Sequence, residues 1–459
     1  MIRFIRNIFS IPELRKRVVF TLLLLAVYRM GSQIMTPGLN AEALRQFFEA
    51  LQGSFFGFMD MFSGNNISRM TIFALGVMPY ISASIILQLL QVVWPYLDRI
   101  AKEGELGKKK ITQYTRYGTV LICLIQGGGI AVGLESMNPN GIPVVLNPGW
   151  GFRLLTVLTL TTGTMFIMWL GEQISERGIG NGISLIIFAG IVVGLVPGVG
   201  KTLQGLRTGD MSPLKLIFIL ALVVAVIAFI CYVEMGQRRI PITYAKRIQG
   251  RRMMGGQSTY LPLKVNTGGV IPIIFASSVI TFPATILNFV KHPIAQKLSQ
   301  QLGFGMPLYT LLYIVSIIFF TYFYISIVFN PKDVSDNVQK YGGFIPGIRP
   351  GKNTTDYIDG VLSKLTFIGA IYLVLVALLP EFLLTGFKVG ALPFVGDWLE
   401  ANLPRWFYEG FNVQFYFGGT SILIVVGVAM DTVQQIEAQL TMRNYDSFSR
   451  KGRIRGRRG

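Results

Sequence analysis

Histidine and cysteine are almost missing from this chain. Its 459 residues hold one His and two Cys. His292 alone cannot build a histidine metal cluster, and Cys123 and Cys231 each lie inside an apolar run, where a thiol behaves as a small hydrophobe. Neither a disulfide nor a metal is therefore expected, and the expected cofactor set is empty. Charge is scarce as well: 14% of residues are Asp, Glu, Lys or Arg, against roughly 25% in soluble globular domains. With 51% hydrophobic residues and a mean hydropathy of +0.52, the composition excludes a soluble enzyme and a disordered tail. No cleavable leader is expected, because the first long apolar run, from Val18 onward, lacks a small-residue cleavage site and leads into more such runs.

Long apolar segments are what the chain has instead. Ten of them suffice to cross ~30 Å of hydrocarbon at ~1.5 Å per residue: residues 18–36, 70–93, 117–134, 152–171, 182–200, 213–233, 268–290, 307–329, 365–385 and 411–431. Of 42 Lys and Arg, 31 fall in the six segments 1–17, 98–116, 172–181, 236–266, 330–364 and 443–459, all on one side of such a bundle. Under the positive-inside rule that side is cytoplasmic and carries both termini. The net charge of +19 thus reads as basic inner loops rather than as a nucleic-acid footprint.

One apolar stretch, Gly53 to Asn66, is too short to span and holds Asp60, three Gly and two Asn. Such a run is re-entrant or interfacial, with Gly64-Asn65-Asn66 supplying a turn. A re-entrant backbone needs protein or a water-filled cavity around it; a helix lying along the outer surface is the other reading. Two inner loops, 236–266 and 330–364, are longer and more basic than topology requires. They contain Gln237-Arg238-Arg239-Ile240-Pro241, Gly250-Arg251-Arg252 and the run from Gly342 to Gly351 with Arg349. That pattern suits docking of a large anionic partner, an RNA-containing particle or an acidic protein patch.

Catalytic and nucleotide chemistry is missing. Gly198-Val199-Gly200-Lys201-Thr202 resembles the end of a phosphate-binding loop, but the position that needs Gly is Leu195. Gly178-Ile179-Gly180-Asn181-Gly182 reads as a tight inner turn. Glu172, Glu234, Glu381 and Asp431 fall at segment ends, where solvation is easy, so no midplane carboxylate supports the main alternative, an ion-coupled secondary transporter. Arg29 lies well inside a span and either faces the bundle interior or snorkels outward.

Several runs carry a resemblance. Met61-Phe62-Ser63-Gly64, Phe73 to Ile86, Gln113 to Gly118, Trp169 to Ile174, Gly178 to Ser184, Leu261 to Asn266, Pro346 to Gly351 and Phe417 to Ser421 are similar to the SecY family of protein-conducting channel subunits, in family order and spacing. The resemblance implies an all-α polytopic membrane protein of ten transmembrane helices in two inverted five-helix halves, with a short re-entrant plug helix. It divides the chain into an amphipathic N-terminus (1–17), an N-terminal half (18–205, plug about 55–66), a C-terminal half (206–435) and a basic tail (436–459).

The same resemblance implies a pore ring of Val77, Ile81, Ile183, Ile187, Ile274 and Ile424. Position 77 is Val where Ile is common in the family. Two pairs at i,i+4 share a helix face, as the sequence itself supports, and an aliphatic constriction can dewet and block ions. It assigns the plug to Phe55, Phe56, Phe58, Asp60, Phe62, Ser63, Gly64 and Asn65, and partner docking to Arg238, Arg239, Arg251, Arg252 and Arg349. Implied partners are the small membrane subunits SecE and SecG, the motor ATPase SecA, the ribosome, unfolded preproteins and membrane lipids, in the bacterial cytoplasmic membrane. Implied function is moving unfolded secretory proteins across that membrane and releasing apolar helices sideways into it. The outer segment from Phe387 to Tyr408, with Trp398 and Trp406, is longer than usual for the family and reads as an interfacial aromatic piece.

Overall fold

A computed structural model describes residues 11–50, 63–135, 142–208, 212–244, 247–249, 252–254, 259–289, 298, 301–303, 306–385 and 419–451. A helix occupies each of the ten apolar segments. These are α1 (Pro12–Gly31), α3 (Met78–Val93), α5 (Glu105–Glu135), α6 (Trp150–Arg177), α7 (Gly182–Thr208), α8 (Pro213–Glu234), α9 (Ile271–Phe289), α10 (Pro307–Val328), α12 (Lys352–Thr385) and α13 (Gly419–Lys451). Shorter helices are α2 (Ala41–Ala50), α4 (Pro95–Lys102) and α11 (Pro331–Lys340). Among the described residues, six helices are long and apolar enough to cross a membrane, or seven if α3 and α4, bent by 102°, count as one.

Two expectations need correction. The second apolar segment is helical only from Met78, since residues 70–77 form turns with a β-bridge at Thr71. The chain also has a small sheet. Strands β1 (Gln237–Tyr244), β4 (Thr259–Lys264) and β5 (Gly343–Phe344) pair in the order β4-β1-β5, and β2 (Arg247–Gln249) pairs with β3 (Arg252–Met254).

The chain divides into two compact units. The first comprises residues 1–201, 282–300 and 424–459, the second 202–281 and 301–423. In the first, α5 packs along α6 and α3, and the rings of Tyr28, Phe73 and Phe166 stack in series at 5.7 and 6.1 Å. Two buried hydroxyls of α5 bond back along their own turn, Thr115 to Ile111 O at 3.0 Å and Thr119 to Thr115 O at 2.7 Å, which satisfies them without water. At one end, Leu14 and Ile179 are buried together against Ile436 and Leu440. There Gly180 N donates to Gln435 Oε1 at 3.0 Å and Ile179 N to Thr21 Oγ1 at 3.1 Å, so residues 178–181 make the expected turn before α7. Gly198 to Thr202 lie within continuous helix α7, which excludes a phosphate loop.

In the second unit the two long basic loops are one body. Antiparallel pairing of β1 with β4 runs from Gln237↔Lys264 to Ile242↔Thr259, and β1 continues into β5 through Thr243↔Phe344 and Tyr244↔Gly343. Ile240, Leu263, Ile345 and Ile358 are buried beneath the sheet, with Phe329, Val334 and Val361 packed on them. Asn330 caps α11 by accepting Lys332 N at 3.1 Å.

Candidate functional site

The segment from Gly64 to Val77 carries backbone made of turns, with a single β-bridge at Thr71, into the apolar first unit. Its depth follows from Gly163, which lies at the middle of the 28-residue α6. A Cβ there would collide with the carbonyl oxygen of Ile72, so glycine is what lets the irregular chain lie against the helix. Irregular backbone at such depth must find its partners inside the protein. Ile72 N donates to Ile34 O at 3.0 Å, Thr36 N to Met70 O at 2.9 Å and Thr71 N to Asn66 O at 3.0 Å. Met70 takes φ 42 while 98% buried by its 2% exposure, a strained conformation that the surrounding contacts must enforce.

The first turn of this segment is latched by side chains. Gly64 (φ 73) and Asn65 (φ 64) are both left-handed, as the turn reading expects. Asn66, 1% exposed, donates from Nδ2 to the Tyr28 hydroxyl at 3.2 Å and to Ser63 O, and accepts from Thr71 Oγ1 at 3.2 Å. Tyr28, 3% exposed on α1, donates its own hydroxyl to Ser63 O at 3.4 Å. On the other side, Gly64 approaches the backbone of Gly190 on α7 so closely that a Cβ would meet its Cα at 2.8 Å. Arg29 faces inward, which decides its two open readings: Nη2 donates to Ala189 O at 2.7 Å and Gly190 O at 3.3 Å. The turn is thus held between α1 and α7. Phe55, Phe56, Phe58, Asp60 and Phe62 lie outside the described residues.

The aliphatic positions fall in both units. Val77 caps α3 and is buried, and Ile81 follows one turn on, its N–H donating to Val77 O at 3.1 Å. Ile187 and Ile424 are buried on α7 and α13 in the first unit, while Ile183 is half-buried. Ile274 is buried in the first turn of α9, in the second unit.

Of the basic positions, two lie on the three-stranded sheet and one just beside it. Arg238 and Arg239 are exposed on β1, paired with Leu263 and Pro262. Arg349 is exposed just beyond β5, and Arg252 opens β3. Arg251 lies outside the described residues, as does the whole segment from Phe387 to Tyr408.

The SecY family profile matches residues 71–433. Protein translocase subunit SecY of Escherichia coli (strain K12) is 49% identical over 97% of this chain and 96% of its own length. The subunit of the same name from Aquifex aeolicus (strain VF5) is 46% identical over 98% of this chain and its full length. The chain belongs to the SecY family. Among solved structures, one described as the structure of a protein conducting channel superposes with a TM-score of 0.62 at 18% identity, covering 92% of each chain. Another, described as Sec61 in the canine ribosome-channel complex, gives 0.57 at 17% identity, again covering 92% of each; both establish the fold.

A SecY-family chain is a protein-conducting channel subunit and a multi-pass membrane protein, not an enzyme. The ion-coupled transporter finds no support in these likenesses. Sequence reasoning missed the latch residues Tyr28 and Asn66. It also treated Glu234 as easily solvated, whereas Glu234 is 8% exposed and accepts from Asn266 Nδ2 at 2.6 Å. Glu172 is different: half-covered at the end of α6, it is bound by Arg116 at 2.6 Å.

Proposed function

We propose that this chain moves unfolded secretory proteins across the bacterial cytoplasmic membrane and releases apolar segments laterally into it. In this reading all ten helices α1, α3, α5–α10, α12 and α13 span the membrane as two inverted halves, with both termini in the cytoplasm. Val77, Ile81, Ile183, Ile187, Ile274 and Ile424 form the constriction. The segment of about 55–66 is its plug, and Arg238, Arg239, Arg251, Arg252 and Arg349 dock the ribosome and SecA. SecE and SecG complete the complex.

The observation that carries the reading is the turn-rich backbone from Ser63 to Val77, buried at the middle of an apolar helix bundle and latched there by side chains. Irregular backbone persists at membrane depth only where protein or a water-filled cavity surrounds it, which fits the root of a plug folded into the body of a channel. One solved structure of the same fold concerns a SecY plug that, in its description, stabilises the closed state and maintains a membrane seal. A transport assay tests the proposal. Proteoliposomes containing this chain with SecE and SecG, supplied with SecA, ATP and an unfolded preprotein, are expected to protect the preprotein from external protease. Lack of ATP-dependent protection, with a correctly assembled complex, would refute the reading.

A further inference from the structure

The second unit hides a carboxylate that neither the docking nor the pore reading uses. Glu234 ends α8, and its Oε1 accepts from Asn266 Nδ2 at 2.6 Å, with Glu234 8% and Asn266 4% exposed. The same Nδ2 donates to Gly269 O at 3.1 Å, two residues before α9 begins. Asn266 therefore aims its amide N–H groups at the end of one helix and the approach to the next, while its Oδ1 has no hydrogen-bond partner among the described residues. A buried carboxamide that leaves its acceptor unmade in order to donate twice is holding a particular geometry.

Everything around this pair fixes the base of the β1–β4 hairpin. Val265 N donates to Gly236 O at 3.0 Å, and Thr267 Oγ1 to Lys264 O at 3.0 Å. Gly369 of α12 packs so near that a Cβ would meet the Val265 carbonyl oxygen at 2.8 Å. Tyr372 on the same helix feels the Glu234 carboxylate and lays its ring on Phe229 of α8 at 5.8 Å. The hairpin carries Arg238 and Arg239, and α9 carries Ile274 in its first turn. Only residues 265–270 separate the sheet from that helix.

We propose that Glu234 and Asn266 are positioning residues that weld the basic hairpin to α9, so that a partner pushing or pulling on the sheet moves the first turn of α9 with it. A flexible junction of six residues would absorb such a displacement; a junction stapled at both ends by one carboxamide transmits it. This inference rests on the docking reading above and adds how docking reaches the constriction.

The test separates the two. Spin labels at Tyr260→Cys and Val279→Cys, both exposed, are placed in full-length complex lacking Cys123 and Cys231, in lipid nanodiscs. Pulsed electron resonance is expected to give one narrow distance in the parent and in Glu234→Gln, which keeps an acceptor for Asn266. In Asn266→Ala the distribution should broaden at least twofold. Bacterial ribosomes should bind all three within about twofold, while transport falls about tenfold in Asn266→Ala and stays within about threefold in Glu234→Gln. If the alanine variant does not assemble, Asn266→Asp, isosteric but lacking the donor, takes its place with the same expectation. A narrow distance together with parental transport in the Asn266 variant overturns the proposal. Ribosome affinity unchanged by charge reversal of Arg238, Arg239 and Arg349 would instead sink the docking reading, and the distance measurement would still judge the weld.

Discussion

Removing the Asn66 side chain should loosen the buried turn more than removing the Tyr28 hydroxyl. Asn66→Ala deletes three hydrogen bonds, to the Tyr28 hydroxyl, Ser63 O and Thr71 Oγ1. At about 1 kcal/mol net each, the loss is about 3 kcal/mol, or about a hundredfold in the equilibrium between latched and released turn. Tyr28→Phe removes two, the bond accepted from Asn66 and the one donated to Ser63 O, but leaves Asn66 bonded to Ser63 O and Thr71, so it costs about 2 kcal/mol, or about thirtyfold. Hydrogen exchange reads these factors directly, because protection of an amide under local opening scales with the opening equilibrium. The amides of Asn66, Thr71 and Ile72, which bond Ser63 Oγ, Asn66 O and Ile34 O, should exchange about a hundredfold faster in Asn66→Ala and about thirtyfold faster in Tyr28→Phe. Core amides of α6 should keep parental rates. Equal exchange in both variants, or none above parent in Asn66→Ala, would refute the latch.

Three further expectations follow from the same contacts. Replacing Ile81, Ile187 and Ile424 with Ser should wet the constriction, and planar-bilayer recordings should find a resting ion leak; parental conductance would count against the ring. Reversing exposed Arg238, Arg239 and Arg349 to Glu should weaken ribosome binding and make the log–log salt dependence shallower by about 3, and an unaltered slope means the sheet is not the contact. Gly163→Ala should lower the thermal midpoint of the detergent-solubilised complex, since the new methyl displaces the Ile72 carbonyl at an overpacking cost of about 1–3 kcal/mol; a midpoint equal to the parent's would show that residues 72–73 do not lie on α6.

Most helices were legible because a bilayer demands long apolar runs and positive inner flanks, and those two signals are written over windows of about twenty residues. The sheet was not, although its alternation is present: Ile240 and Ile242 point to the core while Arg239 and Pro241 do not. Pro241 and Pro262 sit inside the strands and obscure them, since proline demotes a run to edge or turn. The joining of the two basic loops depends on pairing across about a hundred residues, Thr243 with Phe344, which no local pattern encodes. The start of α3 was misplaced for a related reason. Residues 70–77 are as apolar as the helix that follows, but Gly76 at φ 58 and the turn at Asn66 set their path, and hydropathy is blind to both.

Three polar residues whose partners the sequence did not reveal share one physical cause. Arg29, Asn66 and Asn266 each lie where a backbone leaves or meets a helix inside apolar surroundings, and each donates to carbonyl oxygens: Arg29 to Ala189 and Gly190, Asn66 to Ser63, Asn266 to Gly269. Composition ranks such residues as costs, about 3 kcal/mol for an arginine at the bilayer centre. An apolar replacement avoids that cost only where the neighbouring backbone is already satisfied, and at a turn such as Ser63–Asn66 or a junction such as Val265–Val270 the fold supplies no helical partner. The polar side chain then substitutes for the missing ladder. Asn66 and Asn266 thus mark two breaks in helical structure, the turn that follows Ser63 and the base of the hairpin, where a buried side chain supplies the donors that the backbone ladder lacks.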